Sequence, residues 1–587
     1  LSNYSRLIFI LLLTVATLSA QITIRGQSQA YNLQSEFTKQ HTSWLWHDNF
    51  SGVHRSQNAL SWQLFESFNS QVILPGSITS QWKDDQKLQA LIYYNSNRYQ
   101  WGWYVNSWLQ SDKHTDRLNT FYNHASGLFT KIDIGKGLAL SPYVGYQFSR
   151  NVSQHDTGWD IGIDGHLRQT GSGSYRSEID FSSNYDFYDT RQNYNNRAVA
   201  SFSSKFSAFS SDSLSIGYEE SIKQFYDNQG KNLINVSLYN RNFNNMLFYT
   251  IGHRSNFVLQ TQVLSKNVSF FNKRRNFLIG NRIAYNYFGT QLQYRLDFRT
   301  NDETLDTDGI RTDSRTRQSA FGFTSSYKFN VENRLQVNLS YIKLQYDTPD
   351  SVFNNDDRDE QTYILNLNYY HRFSRALVLN INSYGYLFHQ QYIYREQSIN
   401  NLWNRIIKLE PSISYRNKNI INRVSSSVIA NYTDYDFDNL SLRTRSFLFR
   451  KYTISDSLSY NVTNRTGISV RGRVEIEEKG NYFKDNFSQN LIQTYQTAYL
   501  TIYLSQKFYK RLVTQIGFAH FKRSEWRYIP KKKKNRELSN NGPFFRIYYN
   551  FPGRLSFNAS ANLNRLEDSQ TRLQFFTTGA MRLNYSF

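Results

Sequence analysis

Apolar and polar residues trade places at every step over much of this chain. In RLSFNASANLN, Leu555, Phe557, Ala559, Ala561 and Leu563 share one face of an extended backbone, and Ser556, Asn558, Ser560, Asn562 and Asn564 share the other. In GISVRGRVEIE, Ile468, Val470, Val474 and Ile476 alternate with Arg471, Arg473, Glu475 and Glu477. In QLQYRLDF, Leu292, Tyr294, Leu296 and Phe298 alternate with Gln293, Arg295 and Asp297. The stretch WDIGIDGHLR sets Trp159, Ile161, Ile163 and Leu167 against Asp160, Asp164, His166 and Arg168. SYRSEIDFSSNYDF sets Ile179, Phe181, Tyr185 and Phe187 against Arg176, Glu178, Asp180 and Asp186. Successive Cβ atoms of a strand point to opposite sides, so each pattern is a strand with one apolar and one polar face. No sustained 3.6-residue period competes with it.

These segments commonly run ten residues or more, whereas strands of water-soluble domains average about five or six. A tilted strand of about nine to eleven residues crosses a bilayer. From residue 287 onward the connections also alternate in length. Short ones are YFGT (287–290), NVENR (330–334), HRFSR (371–375), RNKN (416–419), NVTNR (461–465), FYKR (508–511) and FPGR (551–554). Long polar stretches lie between them, near 299–317, 347–360, 390–403, 433–443, 477–490 and 524–541. Tight turns at one end and long loops at the other describe an up-and-down sheet with two unlike ends. The expectation is an all-β chain, a large antiparallel up-and-down transmembrane β-barrel of about 26 strands, in a range of about 22–30. Marking candidates from residue 88 on leaves one conflict. Counted back from the C-terminus, NRNFNN (241–246) is an external loop; counted forward from IGKG (134–137), it is periplasmic.

The last segment, RLQFFTTGAMRLNYSF, puts Leu573, Phe575, Met581, Leu583, Tyr585 and Phe587 on one face. Its end resembles the C-terminal assembly signal of bacterial outer-membrane barrels: a terminal Phe587, the aromatic Tyr585 two residues before and the apolar Leu583 two before that. The resemblance implies recognition by the barrel-assembly machinery during biogenesis, with outer-membrane lipid and lipopolysaccharide as surroundings. The N-terminus adds to it. Arg6, an apolar run from Leu7 to Ala16 and the small pair Ser19-Ala20 resemble a secretory signal peptide cut before Gln21. The competing reading is a membrane anchor, but the apolar run is shorter than the roughly 20 residues of a spanning helix. The expected division is a signal peptide at 1–20, an N-terminal segment at 21–87 and the barrel at 88–587. The segment 21–87, less regular and rich in Trp, holds either early strands or a small plug or periplasmic piece.

Composition supports this class. Tyr 44, Phe 43 and Trp 10 are a heavy aromatic load, yet only 39% of residues are hydrophobic and the mean hydropathy is −0.63. Strands with one apolar and one wet face reconcile the two. There is no cysteine, so disulfides and thiolate metal sites are excluded. The net charge of +22 raises nucleic acid as a partner. The basic residues are scattered, however, and the one dense run is Lys531–Lys534, which suits a solvated or headgroup-facing role; no nucleic-acid partner is expected.

Candidate sites follow from the polar faces. Arg176, Glu178, Asp180, Arg295, Asp297, Arg471, Arg473, Glu475 and Glu477 are candidate lumen-lining residues, where charge tunes ion preference. The plainer reading is that a polar interior simply pairs its own charges. The acidic stretch 347–360, with Asp347, Asp350, Asp356, Asp357, Asp359 and Glu360, and the DTDG at 306–309 lack the spacing of a calcium loop. His41, His47 and His54 are too loosely spaced for a metal motif, and neither metal nor cofactor is expected. No nucleophile elbow, Walker or dinucleotide motif occurs. No catalytic residues are assigned, although an outer-membrane hydrolase built from wall residues stays open. The expected function is a porin-like passive or gated channel for polar solutes. The alternative is an assembly, secretion or structural barrel acting with an envelope complex. A TonB-dependent transporter is disfavoured, because its plug domain far exceeds residues 21–87. Solute and oligomeric state are not legible.

Overall fold

The computed structural model describes residues 28–586 except 57–58, 75–80, 97, 115–116, 136, 152–153, 171–173, 227–231, 309–312, 350–354, 439–444, 485–487, 510, 529–530 and 552–553. The signal-peptide reading at 1–20, Asp350 and Phe587 lie outside the described residues.

Among the described residues, twenty-eight strands follow one another along the chain. They are β1 (Ser28–Lys39), β2 (Ser43–Arg55), β3 (Ala59–Ile73), β4 (Gln81–Asn95), β5 (Tyr99–His114), β6 (Arg117–Asp133), β7 (Leu138–Asn151), β8 (Gln154–Thr170) and β9 (Tyr175–Tyr188). Next come β10 (Gln192–Lys205), β11 (Ser210–Tyr226), β12 (Leu233–Ile251), β13 (Ser255–Ser269), β14 (Lys273–Phe288), β15 (Leu292–Thr307), β16 (Ser314–Lys328), β17 (Asn333–Asp347), β18 (Arg358–Arg372) and β19 (Leu377–Tyr392). The rest are β20 (Leu402–Arg416), β21 (Ile420–Tyr435), β22 (Phe447–Asn461), β23 (Thr466–Phe483), β24 (Ser488–Phe508), β25 (Leu512–Arg527), β26 (Lys533–Phe551), β27 (Leu555–Asp568) and β28 (Gln574–Ser586). One 3-10 helix, Arg395–Asn400, lies in a connection. Each strand pairs antiparallel with its neighbours in sequence, and β28 pairs with β1, so the sheet closes without an edge. Closure gives every strand two hydrogen-bonding neighbours, the condition for a sheet in hydrocarbon.

The register carries the period-two pattern around the ring. Leu458, Val470, Ile502 and Phe518 lie side by side on β22 to β25. One step away, Ser457, Arg471, Thr501 and Ala519 form the opposite row. The apolar row is the outer, lipid-facing one: Leu128, Ile407, Ile454 and Ile516 there are each 60–64% exposed. No helix among the described residues is long and apolar enough to cross a membrane, and the strands make the crossing instead.

Two expectations need correction. NRNFNN is no loop: 241–246 sits inside β12, a single 19-residue strand. Asparagine favours turns, but here Asn240, Asn242 and Asn244 form a lumen-facing row, with Gln260 Nε2 donating to Asn244 Oδ1 at 3.0 Å. Phe243 points out, between Ile216 and Val263. Dissolving that loop removes the parity conflict, and the 28 strands bring β1's start and β28's end to the same side. Second, three of the six long polar stretches, 299–317, 477–490 and 524–541, are mostly strand. The region 299–317 has a connection of only 308–313, and 477–490 only 484–487, because the ladders continue beyond the apolar band with polar residues on both faces. The total of 28 strands lies within the expected range of about 22–30, and β1 to β3, with β4 from Gln81, lie in the wall before residue 88.

The external rim is tied down over β17 to β22. Gln397 of the 3-10 helix donates to Asn355 Oδ1 at 3.2 Å, and Arg445 donates to Ile399 O at 3.0 Å and Asn400 Oδ1 at 3.1 Å. The carboxylates of the acidic stretch diverge. Among the described residues, Asp357 accepts from Thr348 N, Asp359 faces Lys343 at 3.5 Å and Glu360 faces Arg358 at 2.7 Å, so these three carboxylates have separate partners.

Candidate functional site in the lumen wall

A ring of 28 strands spaced about 4.8 Å apart and tilted about 40° has a backbone diameter of about 55 Å if circular. Side chains fill the inside of an eight-stranded barrel, but not one of this width. The exposed area agrees. A compact 69.4 kDa protein exposes about 21,500 Å², whereas this chain exposes 37,123 Å². Both faces of a one-strand-thick wall are accessible, so the candidate site is the inner wall itself.

Its chemistry differs by sector. Between β5 and β10 the wall is acidic and aromatic. Tyr104 donates to Asp160 Oδ2 at 2.9 Å, and Tyr188 to Gln147 Oε1 at 3.1 Å. The rings lie flat because glycine faces them: a Cβ on Gly145 would stand 2.3 Å from Tyr104 Oη, and one on Gly162 2.4 Å from Tyr143 Cζ. Arg191, in the external turn, covers the Tyr188 ring at 4.1 Å and donates to Asp156 Oδ2 at 2.8 Å. Toward the periplasmic end, His166 Nδ1 lies 2.5 Å from Asp180 and its Nε2 3.9 Å from Glu178, to which Arg176 donates at 2.7 Å. Both ring nitrogens face carboxylates and one carboxylate already holds a guanidinium. The donor atoms of His166, Glu178 and Asp180 lie within 4.8 Å of one another, and Arg176 is already paired with Glu178.

Between β14 and β15 the sign reverses. Arg282 and Arg295 reach Asp297 Oδ2 at 2.7 Å each, and Arg299 reaches its other oxygen at 2.5 Å. Three guanidiniums on one carboxylate leave a local excess of two positive charges. Between β22 and β25 the signs interleave. Lys451 lies 3.1 Å from Glu475 and 2.9 Å from Glu477, Arg473 pairs with Glu475, and Arg471 lies 5.5 Å over the Tyr503 ring.

The register thus places Arg176, Glu178, Asp180, Arg295, Asp297, Arg471, Arg473, Glu475 and Glu477 on the face opposite the apolar belt, in three separated clusters. Leu583 and Tyr585 lie on the outer face, opposite Phe557 and Leu555. Sequence reasoning missed Arg299, which the same alternation reaches two residues after Asp297. It also missed Arg282 and Lys451, whose place depends on strand register. Ser107 Oγ and His124 Nδ1 are 2.6 Å apart on the outer face. No carboxylate among the described residues lies on that histidine, so the pair lacks the group that orients a catalytic base.

No protein-family model matches the chain, and no curated protein matches it. Among solved structures it is similar to a ferric enterobactin receptor variant (PfeA) of Pseudomonas aeruginosa with enterobactin, at 9% identity and a TM-score of 0.42 over 96% of this chain and 82% of that one. It is similar to the ferric preacinetobactin receptor BauA of Acinetobacter baumannii at 10% identity and 0.34 over 95% and 80%. It is similar to the FrpB iron transporter of Neisseria meningitidis at 9% identity and 0.37 over 77% and 82%. Likeness this distant assigns no ligand. The closed antiparallel ring, the outward apolar belt and the polar interior belong to the chain itself, and they make it a β-barrel protein of the Gram-negative-type outer membrane.

Proposed function

We propose that the protein is a wide transport channel of the outer membrane, passing polar solutes through its lumen. The observation that carries this reading is the wall exposed on both faces, with charged and amide groups lining the inner one. A bore of about 40 Å remains after side chains are allowed for. Charges on opposite walls are then further apart than the screening length of about 8 Å at physiological salt, so the mixed clusters give weak ion selectivity. The bore also favours a second reading, a barrel that works with an envelope complex, because a permanently open hole of this width defeats the membrane's barrier. Recording of the purified protein in a planar bilayer tests the first reading. Large, ohmic, weakly selective steps are expected; a silent bilayer with correctly folded barrel inserted rejects the channel and leaves the complex.

A further inference from the structure

His166 stands directly opposite Asp180 in the β8–β9 ladder, and Glu178 lies on the same inner face of β9, opposite Arg168. The two ring nitrogens of His166 have unequal surroundings. Nδ1 lies 2.5 Å from Asp180 Oδ1, a hydrogen-bond distance, and an ionised carboxylate only accepts, so Nδ1 carries the proton. In the neutral ring Nε2 then holds a lone pair. It faces Glu178 Oε1 at 3.9 Å, too far for a hydrogen bond. Two electron-rich atoms are thus aimed at each other across a gap. A bound metal spans such a gap: zinc takes an imidazole nitrogen at about 2.0–2.1 Å and a carboxylate oxygen at about 2.0–2.2 Å.

Each of the two facing groups is also held from behind. Asp180 fixes the imidazole and its tautomer. Arg176 Nη2 donates to the other oxygen of Glu178, Oε2, at 2.7 Å and turns Oε1 toward the imidazole. A carboxylate behind the histidine and a hydrogen bond behind the carboxylate are the usual means of orienting metal ligands. The arrangement is open to the lumen, with the His166 and Glu178 side chains 43% and 31% exposed. Beside it is a hollow of about 580 Å³, which His166 and Asp180 line with Lys131, Ser141, Asp164 and Arg197, and which has room for water on a bound ion. Arg168 and Arg176 balance the two carboxylates in charge. The attraction for a cation therefore comes from aimed donor atoms rather than from a negative field, which favours a metal that takes imidazole over one that takes oxygen alone. No spacing along the chain announces the pair, because its members sit on neighbouring strands and meet through register.

We propose that His166 Nε2 and Glu178 Oε1 bind a divalent transition-metal ion of the zinc type on the inner wall, with Asp180 and Arg176 as positioning residues and water in the remaining coordination positions. Two protein ligands hold such an ion without trapping it, so divalent metal ions join the polar solutes that the lumen passes. That role in passage rests on the lumen being the transport path; the binding does not.

The absence of cysteine makes the test clean, since no thiolate competes for the probe. Zinc chloride is titrated calorimetrically into the barrel folded in detergent, and migration of the unboiled protein on a gel confirms that each variant is folded. A zinc site is expected in the parent and in the control His520→Ala, and its loss is expected in His166→Ala and in Glu178→Gln. Asp180→Asn is expected to keep the site and weaken it about 10–100-fold. A large excess of calcium chloride is expected to leave zinc binding nearly unchanged. No zinc binding by the parent, a site that survives His166→Ala or Glu178→Gln, or displacement of zinc by calcium overturns the proposal. Planar-bilayer recording scores the channel reading separately. A conducting barrel that binds no zinc keeps the channel and loses the site; a silent barrel that binds zinc keeps the site and loses its part in transport.

Discussion

Replacing Ile454 by arginine is expected to destabilise the refolded barrel by about 2–4 kcal/mol, while the same change at the adjacent Thr453 costs less than about 1 kcal/mol. The two residues are neighbours in sequence and face different media. Ile454 is 64% exposed on the outer face, beside Ser426 and Val474. A guanidinium there enters hydrocarbon near mid-membrane. Thr453 lies between Ser427 and Glu475 on the inner wall, where a guanidinium meets water and a carboxylate. Urea titration of each variant folded in lipid vesicles measures the difference. Equal costs would mean that the two faces are not a lipid face and a wet face.

Asp297→Ala is expected to remove about 1–3 kcal/mol, somewhat less than the cost of breaking a dry ion pair because water reaches the arginines. Asp297 is the shared acceptor of Arg282, Arg295 and Arg299, and its side chain is 11% exposed while theirs are 26%, 41% and 55% exposed. Without it three like charges converge with nothing between them. Inorganic phosphate, a polydentate acceptor for guanidinium groups, should therefore restore much of the variant's stability and leave the parent nearly unchanged. Loss of stability without phosphate rescue would show that the cost comes from packing rather than from the uncompensated arginines.

The parts of the fold legible in sequence are those set by a local rule. Alternation in β8, β9, β15, β23 and β27 gives the strands, their faces and the membrane, because the side-chain period of a strand does not depend on its neighbours. Where a strand ends is a different matter. NRNFNN has turn composition and strand structure, since a lumen provides partners for asparagine that a soluble protein's strand does not. The overlong loops arise in the same way: once a ladder leaves hydrocarbon, either face is free to be polar and the apolar signal stops before the strand does. The candidate site divides along the same line. Asp297 and Arg295 are on one strand and legible. Arg282 on β14 is brought to them by register, and Glu36 and Arg582, 546 residues apart, meet only because the ring closes.

The account's central claim is a single wall between lipid and a water-filled lumen. Single cysteines at each position from Thr453 to Tyr460 of β22 test it directly, using a water-soluble maleimide and a membrane-confined one on the barrel in vesicles. Thr453, Ser455, Ser457 and Ser459 are predicted to react with the soluble reagent, and Ile454, Asp456, Leu458 and Tyr460 with the membrane-confined one. Protection of the first set would mean a filled lumen. Reactivity that fails to alternate would contradict the barrel wall itself.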